Sequence, residues 1–180
     1  ASIDCQASGT TMRFLTALVS LGNGHYVLDG TARMRQRPIG DLLNALRMLG
    51  VEAEAGSAGE CPPVTIRSTG VTSAEACIQS TTSSQFASGL ALVAPCMPEG
   101  LSLELTGTLV STPYLDMTRK IIESFGGKCE LRNDRQWHIA PTGYVSKNYE
   151  IEPDASAASY FAAAAAITHG TVTLEGLGRN

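Results

Sequence analysis

HYVLDG at 25–30, LSLELTG at 101–107 and TVTLEG at 171–176 decide the fold, because one glycine-bounded, alternating strand pattern returns three times in 180 residues. Each copy follows a helix-like segment: GTTMRFLTALVSL at 9–21, SSQFASGLALVAP at 83–95 and ASAASYFAAAAAI at 155–167. After the first two strands comes a second amphipathic helix, Pro38 to Leu49 and Thr112 to Phe125. A glycine and a strand pair follow, VEAEA with VTIRS and KCEL with WHIAP. AEACIQ at 74–79 opens the second copy, and only Ser2 to Cys5 is available to open the first. The unit is therefore βαβαββ, with a period of roughly 70–77 residues between closing glycines. The third copy stops after its second strand, so the chain reads as an excerpt of something longer.

The helices of these units are apolar, rich in small residues and without a charged stripe, the pattern of helices buried on most sides. Strands then lie outside. The expected class is α/β (α+β by some schemes), with repeated βαβαββ units, buried parallel helices and outer sheets. An ordinary doubly wound sheet is the inverse, with helices as its covering.

A chain that is 43% hydrophobic and 17% charged can bury a substantial core. Its formal charge of −4, with no basic run outside one arginine stretch, excludes a general nucleic-acid binder. No apolar run reaches spanning length, and no signal-peptide pattern is present, so the expectation is a soluble protein with no membrane partner. Cys5, Cys61, Cys77, Cys96 and Cys129 are scattered, with no CxxC and no histidine at metal spacing. They imply a reducing compartment without structural zinc, and neither a metal nor a cofactor is expected. His25, His138 and His169 are isolated from one another and are read as structural.

The candidate chemistry is anion binding. In GTARMRQRPIG at 30–40, Arg33, Arg35 and Arg37 stand at every second position. Pro38 biases Arg37 toward extended backbone, so the three side chains are expected to project to a common side and meet phosphate or carboxylate. The competing reading is a solvated loop, or pairing with Asp29 and Asp41. Predicted helices also open on hydroxyl-rich starts: Ser8-Gly9-Thr10-Thr11, Ser80 through Gln85, Ser111-Thr112-Pro113-Tyr114 and Asp154-Ala155-Ser156. Any one of these is an ordinary N-cap. Four at equivalent places in a repeat of parallel helices would face one side and attract negative charge together. Ser83, Ser84 and Gln85 offer two hydroxyls and an amide in one turn, enough for a phosphate and a sugar-like hydroxyl. Tyr114 adds a phenol beside another start.

GTTMRFL at 9–15, LDGTARMRQRPIGDLLNALRMLG at 28–50, SSQFASGLALVAP at 83–95, STPYLDMT at 111–118 and EPDASAASYFAAAAAI with GTVTLEGLGRN closely resemble the 3-phosphoshikimate 1-carboxyvinyltransferases, or EPSP synthases. The resemblance spans nearly the whole chain in family order. It implies an inside-out α/β prism in two domains of three βαβαββ units each, closing over substrate at a hinge. Residues 1–148 are then two units of an incomplete substrate-binding domain, and 149–180 begin the second domain after the hinge crossing.

The implied reaction joins phosphoenolpyruvate to the 5-hydroxyl of shikimate 3-phosphate, giving 5-enolpyruvylshikimate 3-phosphate and phosphate. By the same resemblance Ser83, Ser84, Gln85, Ser111 and Tyr114 contact shikimate 3-phosphate, and Gly9, Arg37 and Gln85 contact phosphoenolpyruvate. Arg33 and Arg35 have weaker claims, and Arg13 is read as structural. The family's catalytic lysine, aspartate and acidic-basic segments do not occur in the chain, so no catalytic residue is assigned and turnover by this chain alone is not expected. Ala7 stands where many members carry Asn, and Phe14 where many carry Pro, beside a pocket that glyphosate-like inhibitors occupy. The implied setting is cytoplasmic, with a monomeric parent. The alternatives are a shikimate-3-phosphate-binding module without chemistry and a UDP-N-acetylglucosamine enolpyruvyl transferase. The latter usually has a reactive cysteine in the arginine loop, and this chain has none there.

Overall fold

A computed structural model describes residues 1–57, 59–79, 83–107, 112–133 and 135–177. It divides into two compact units, Ala1–Val145 and Ser146–Asn180. The first unit is two copies of one pattern. β1 (Ser2–Asp4), α1 (Gly9–Val19), β2 (Asn23–Asp29), α2 (Gly40–Met48), β3 (Glu52–Ala55) and β4 (Val64–Thr69) make the first copy. β5 (Glu75–Gln79), α3 (Ser84–Val93), β6 (Leu101–Thr106), α4 (Thr112–Ser124), β7 (Cys129–Asn133) and β8 (Gln136–Ile139) make the second.

The sheets run β1-β2-β4-β3 and β5-β6-β8-β7, the same order in each. In both, the first pair is parallel and the other two are antiparallel. The βαβαββ unit read from the sequence is present twice.

The two copies also end their second helix alike. Leu49 closes α2, and Gly50 (φ +84°) donates to Arg47 O while Val51 donates to Leu46 O. At α4, Gly126 (φ +86°) donates to Glu123 O and Gly127 to Ile122 O. Both are Schellman ends, which need the left-handed backbone that glycine adopts without a Cβ penalty.

Strand alternation sets what is inside. Leu101, Leu103 and Leu105 are buried while Ser102 and Glu104 face solvent, and Val64 and Ile66 are buried while Arg67 is exposed. Each sheet therefore covers helices with one face only. α3 is the most enclosed helix: Ser84, Phe86, Ala87, Ser88, Gly89, Leu90, Ala91 and Val93 are all buried. It packs against both α1 and α4. A Cβ on Gly89 would stand 3.4 Å from Arg13 O and 3.6 Å from Ala17 Cβ, ordinary contact distances, so this face of α3 lies directly against α1. On the other flank Thr118 donates to the Ser88 hydroxyl at 2.8 Å, a buried pair. Burial on most sides is observed for α3; α1 buries only Met12, Thr16 and Ala17, and α4 only Leu115, Thr118 and Ile122, so these two helices bury one stripe each.

Chain direction follows from the pairing. β7 is antiparallel to β8 and β8 to β6, so β5, β6 and β7 all run one way. α3 and α4 return the chain between them and run alike. α1 runs with α3, because Gln85 reaches Thr10 while Gly89, one turn on, meets Arg13, Phe14 and Ala17.

After β8 the chain crosses the far ends of α3 and α4. Gly143 N–H donates to Pro95 O at 2.7 Å, Val145 N–H to Phe125 O at 2.7 Å and the Tyr144 hydroxyl to Leu92 O at 2.6 Å. These bonds satisfy carbonyls that the helix ends leave open. The Tyr144 ring meets Phe125 edge-on at 6.5 Å. Burial, and then the neighbouring Cys96 and Cys129, push the phenol up to about 12.

The second unit contains α5 (Ala155–Thr168). Asp154 caps it by accepting from the N–H groups of Ser156 and Ala157, and His169 closes it in the left-handed region. Two expectations fail in this unit. No residue of α5 is buried, and TVTLEG at 171–176 is irregular chain ending in a turn, not a strand. A strand exists by virtue of a neighbour, and none is present among the described residues of this unit. The reading of the arginine stretch as extended is corrected as well. Arg33 has helical backbone, Met34–Gln36 form a 3-10 turn, and only Arg37, before Pro38, is extended (φ −103°, ψ 113°).

Candidate functional site

The site forms where β1 and β2 end and α1 and α3 begin. Ser8 caps α1, its Oγ accepting from Thr11 N–H at 3.1 Å. The turn after β1 is tied to the turn after β2 by Thr31 N–H donating to Gln6 O at 3.1 Å. That contact brings the arginine segment over the start of α1. Arg37 comes to rest on Gly9, where a Cβ would stand 2.8 Å from Arg37 Cζ. A side chain at position 9 would push the guanidinium away from the first residue of the helix. Beside it is a cleft of about 440 Å³, lined by Ala7, Thr31, Arg33, Met34, Gln36 and Arg37.

The second helix start reaches the same place. Ser83 has extended backbone and caps α3, accepting from Gln85 N–H at 3.3 Å. Gln85 then joins the copies: its Nε2 donates to Thr10 Oγ1 at 3.2 Å, and its Oε1 accepts from Arg13 Nη1. Arg13 lies over the Phe86 ring at 5.0 Å. Burial first, and then the like charge of Arg37, lower its pKa. Two guanidinium groups thus repel each other across the site. Among the described residues Arg13, Arg33 and Arg37 have no carboxylate partner, and an anion placed between them would relieve the repulsion.

The three arginines of the repeat pattern do not act together. The 3-10 turn sends Arg35 back to Asp29, with Nε to Oδ1 at 2.9 Å and Nη2 to Oδ2 at 2.5 Å. The bonds from Arg35 hold the Asp29 carboxyl below its ordinary range. Pairing with Asp29 therefore accounts for Arg35, while Arg33 and Arg37 line the cleft.

Of the remaining candidates, Ser84 is buried in the first turn of α3. Tyr114 is 55% exposed at the start of α4. Ser84 and Tyr114 each precede the Ser88–Thr118 hydroxyl pair by four residues on helices that run alike, so they stand at one level. Ser111 lies outside the described residues. Thr10 enters the sequence reading only as part of the α1 start, and Arg13 only as a structural residue. Arg13 is one turn beyond Gly9 on the same helix face, and that spacing was the available signal. Phe14 packs on α3, its Cδ1 3.5 Å from the Cβ position of Gly89.

Among the described residues no cluster of histidine, cysteine or acidic groups is arranged to hold a metal ion, and no helix is long and apolar enough to cross a membrane. Fold and site together define a class: a twice-repeated α/β protein with an unneutralised cationic cleft at converging helix starts.

The family model for EPSP synthase (3-phosphoshikimate 1-carboxyvinyltransferase) matches residues 1–180. The 3-phosphoshikimate 1-carboxyvinyltransferase of Nostoc punctiforme is 42% identical over 171 residues, covering 94% of this chain and 40% of its own. The chloroplastic enzyme 1 of that name from Nicotiana tabacum is also 42% identical, covering 95% of this chain and 34% of its own. A solved EPSP synthase from Acinetobacter baumannii superimposes on the whole chain with a TM-score of 0.79 at 24% identity, using 40% of that structure. The chain belongs to the EPSP synthase family. It spans 34–40% of the length of these relatives.

Proposed function

We propose that this chain supplies the anion-binding wall of a 3-phosphoshikimate 1-carboxyvinyltransferase. The observation that carries the reading is the approach of Arg37 to Gly9 and toward Arg13, two guanidinium groups without a carboxylate partner among the described residues at the start of α1. Phosphoenolpyruvate carries a carboxylate and a phosphate, and Arg37 with the α1 N–H groups is suited to hold one of them. Ser83, Ser84 and Gln85, with Ser111 and Tyr114 from the neighbouring start, are assigned to shikimate 3-phosphate. Gln85 borders both substrates.

In the reaction the substrate 5-oxygen bonds to C2 of phosphoenolpyruvate and gives up its proton, while the methylene carbon gains one. The adduct then loses phosphate with the C–O electron pair and a proton from the new methyl group, restoring the double bond. These residues bind and orient the anions and screen their mutual repulsion, so that the two substrates can meet. No general acid or base is assigned to this chain. Residues 1–148 are assigned to the substrate-binding domain and 149–180 to the start of the next, after a hinge crossing. The proposed setting is the cytoplasm, supported by the bacterial relative, with a monomeric parent and glyphosate-like inhibitors as further ligands.

Calorimetric titration of the chain with shikimate 3-phosphate and then phosphoenolpyruvate tests this. Each should bind, the second more tightly in the presence of the first, and Arg37→Gln should weaken phosphoenolpyruvate by about a hundredfold. Equal binding by wild type and Arg37→Gln would remove the proposal. Turnover near that of an intact enzyme would contradict the assignment of binding without chemistry.

A further inference from the structure

Three observations converge on Glu60, a residue outside the cleft. Its backbone is left-handed at φ +50°, a conformation that a residue with a long side chain rarely adopts. In that conformation its carbonyl accepts the N–H of Ile39 at 2.9 Å. Its carboxylate lies against Gly40, where a Cβ would stand 2.8 Å from Glu60 Cδ, and accepts from Arg47 Nη1 at 3.1 Å. Strain of this kind persists where the surroundings over-determine it.

What Glu60 holds is the root of the arginine segment. Ile39 is buried and precedes α2 with no side-chain cap of its own. The Glu60 carboxylate stands against Gly40, the first residue of α2, with its negative charge at the positive end of the helix. Arg47 keeps the carboxylate there and is itself fixed by Nε to Ala53 O at 2.8 Å and Nη1 to Asn44 Oδ1 at 2.5 Å. Between Ile39 and Arg37 stands only Pro38, whose φ is locked, so a displacement at Ile39 is passed on to Arg37 with little slack. Arg37 is exposed and has no ion pair among the described residues to hold its guanidinium over Gly9.

We infer that Glu60 is a positioning residue for Arg37, clamping Ile39 and Gly40 so that the guanidinium meets the anion at the start of α1; this rests on the function proposed above. Glu60 touches no substrate. Its effect is on where the cation stands.

The test uses the 180-residue chain with phosphoenolpyruvate as the probe, in wild type, Arg37→Gln, Glu60→Ala, Glu60→Gln and Gly40→Ala. Glu60→Ala and Gly40→Ala should each weaken binding about tenfold, and Glu60→Gln should recover most of the loss because it can still accept from Arg47. Without ligand, Glu60→Ala should shift the Arg37 Nε–Hε resonance and speed exchange of the Ile39 amide. A uniformly destabilised protein would instead exchange faster throughout, with Arg37 unmoved. If Arg37→Gln loses binding and Glu60→Ala does not, the clamp is wrong and the proposed function stands. If wild type does not bind, the function falls, and an unshifted Arg37 resonance in Glu60→Ala overturns the clamp independently of any binding.

Discussion

LSLELTG and TVTLEG differ little as strings, yet the first is a central strand and the second is not a strand at all. β6 has β5 on one side and β8 on the other, registered Ala76 to Leu103 and Leu103 to Trp137. Residues 171–176 have no strand beside them among the described residues of their unit. The helices before them repeat the contrast: α3 has eight of its ten residues buried and α5 has none. Alternation and small-residue helices state what a segment can become, and the neighbours decide whether it does.

The largest test of this contrast is a matched truncation. Phe86, 1% exposed in α3, should cost about 3–5 kcal/mol as Phe86→Ala, whereas Phe161→Ala, 61% exposed in α5, should cost under about 0.5 kcal/mol. Urea unfolding of the chain measures both, and equal losses would erase the distinction.

A polar version is smaller. Thr118→Val removes the donor to Ser88 Oγ and leaves that hydroxyl buried, which should cost about 1–3 kcal/mol, and adding Ser88→Ala should return part of it. Ser159→Ala in α5, whose Oγ donates to Ser156 O on an exposed face, should be close to neutral in the same denaturation experiment.

The smallest effect lies where the first unit ends. Tyr144→Phe should cost about 1 kcal/mol near neutral pH through loss of its bond to Leu92 O. Its phenol titrates near 10 when unfolded and about 12 when folded, so the folded state resists losing this proton. The stability it contributes is present below pH 10 and is lost as pH rises toward 12. Alkaline denaturation curves of wild type and Tyr144→Phe should converge across that window.

Most of the first unit was legible because its signals are local and agree with one another. β-alternation, helix period and the glycines at 50 and 126 all mark the same boundaries. The site was legible in part. Gly9 and Gln85 could be named from motif words, but Arg13 could not, because its role comes from a neighbour 72 residues away. The arginine stretch misled for a related reason: every-second spacing describes an extended chain, and a tertiary partner, Asp29, stands where a 3-10 turn delivers Arg35. Glu60 left no trace in any motif, since its carbonyl and its carboxylate meet Ile39, Gly40 and Arg47, all distant from it in sequence.

The seam at 143–145 gives the molecule a mechanical character. Because the chain leaves the first unit bonded to the carboxyl ends of α3 and α4, a pull on Ser146 is met first by those two helix ends. The opposite tips of these helices carry Ser84 and Tyr114.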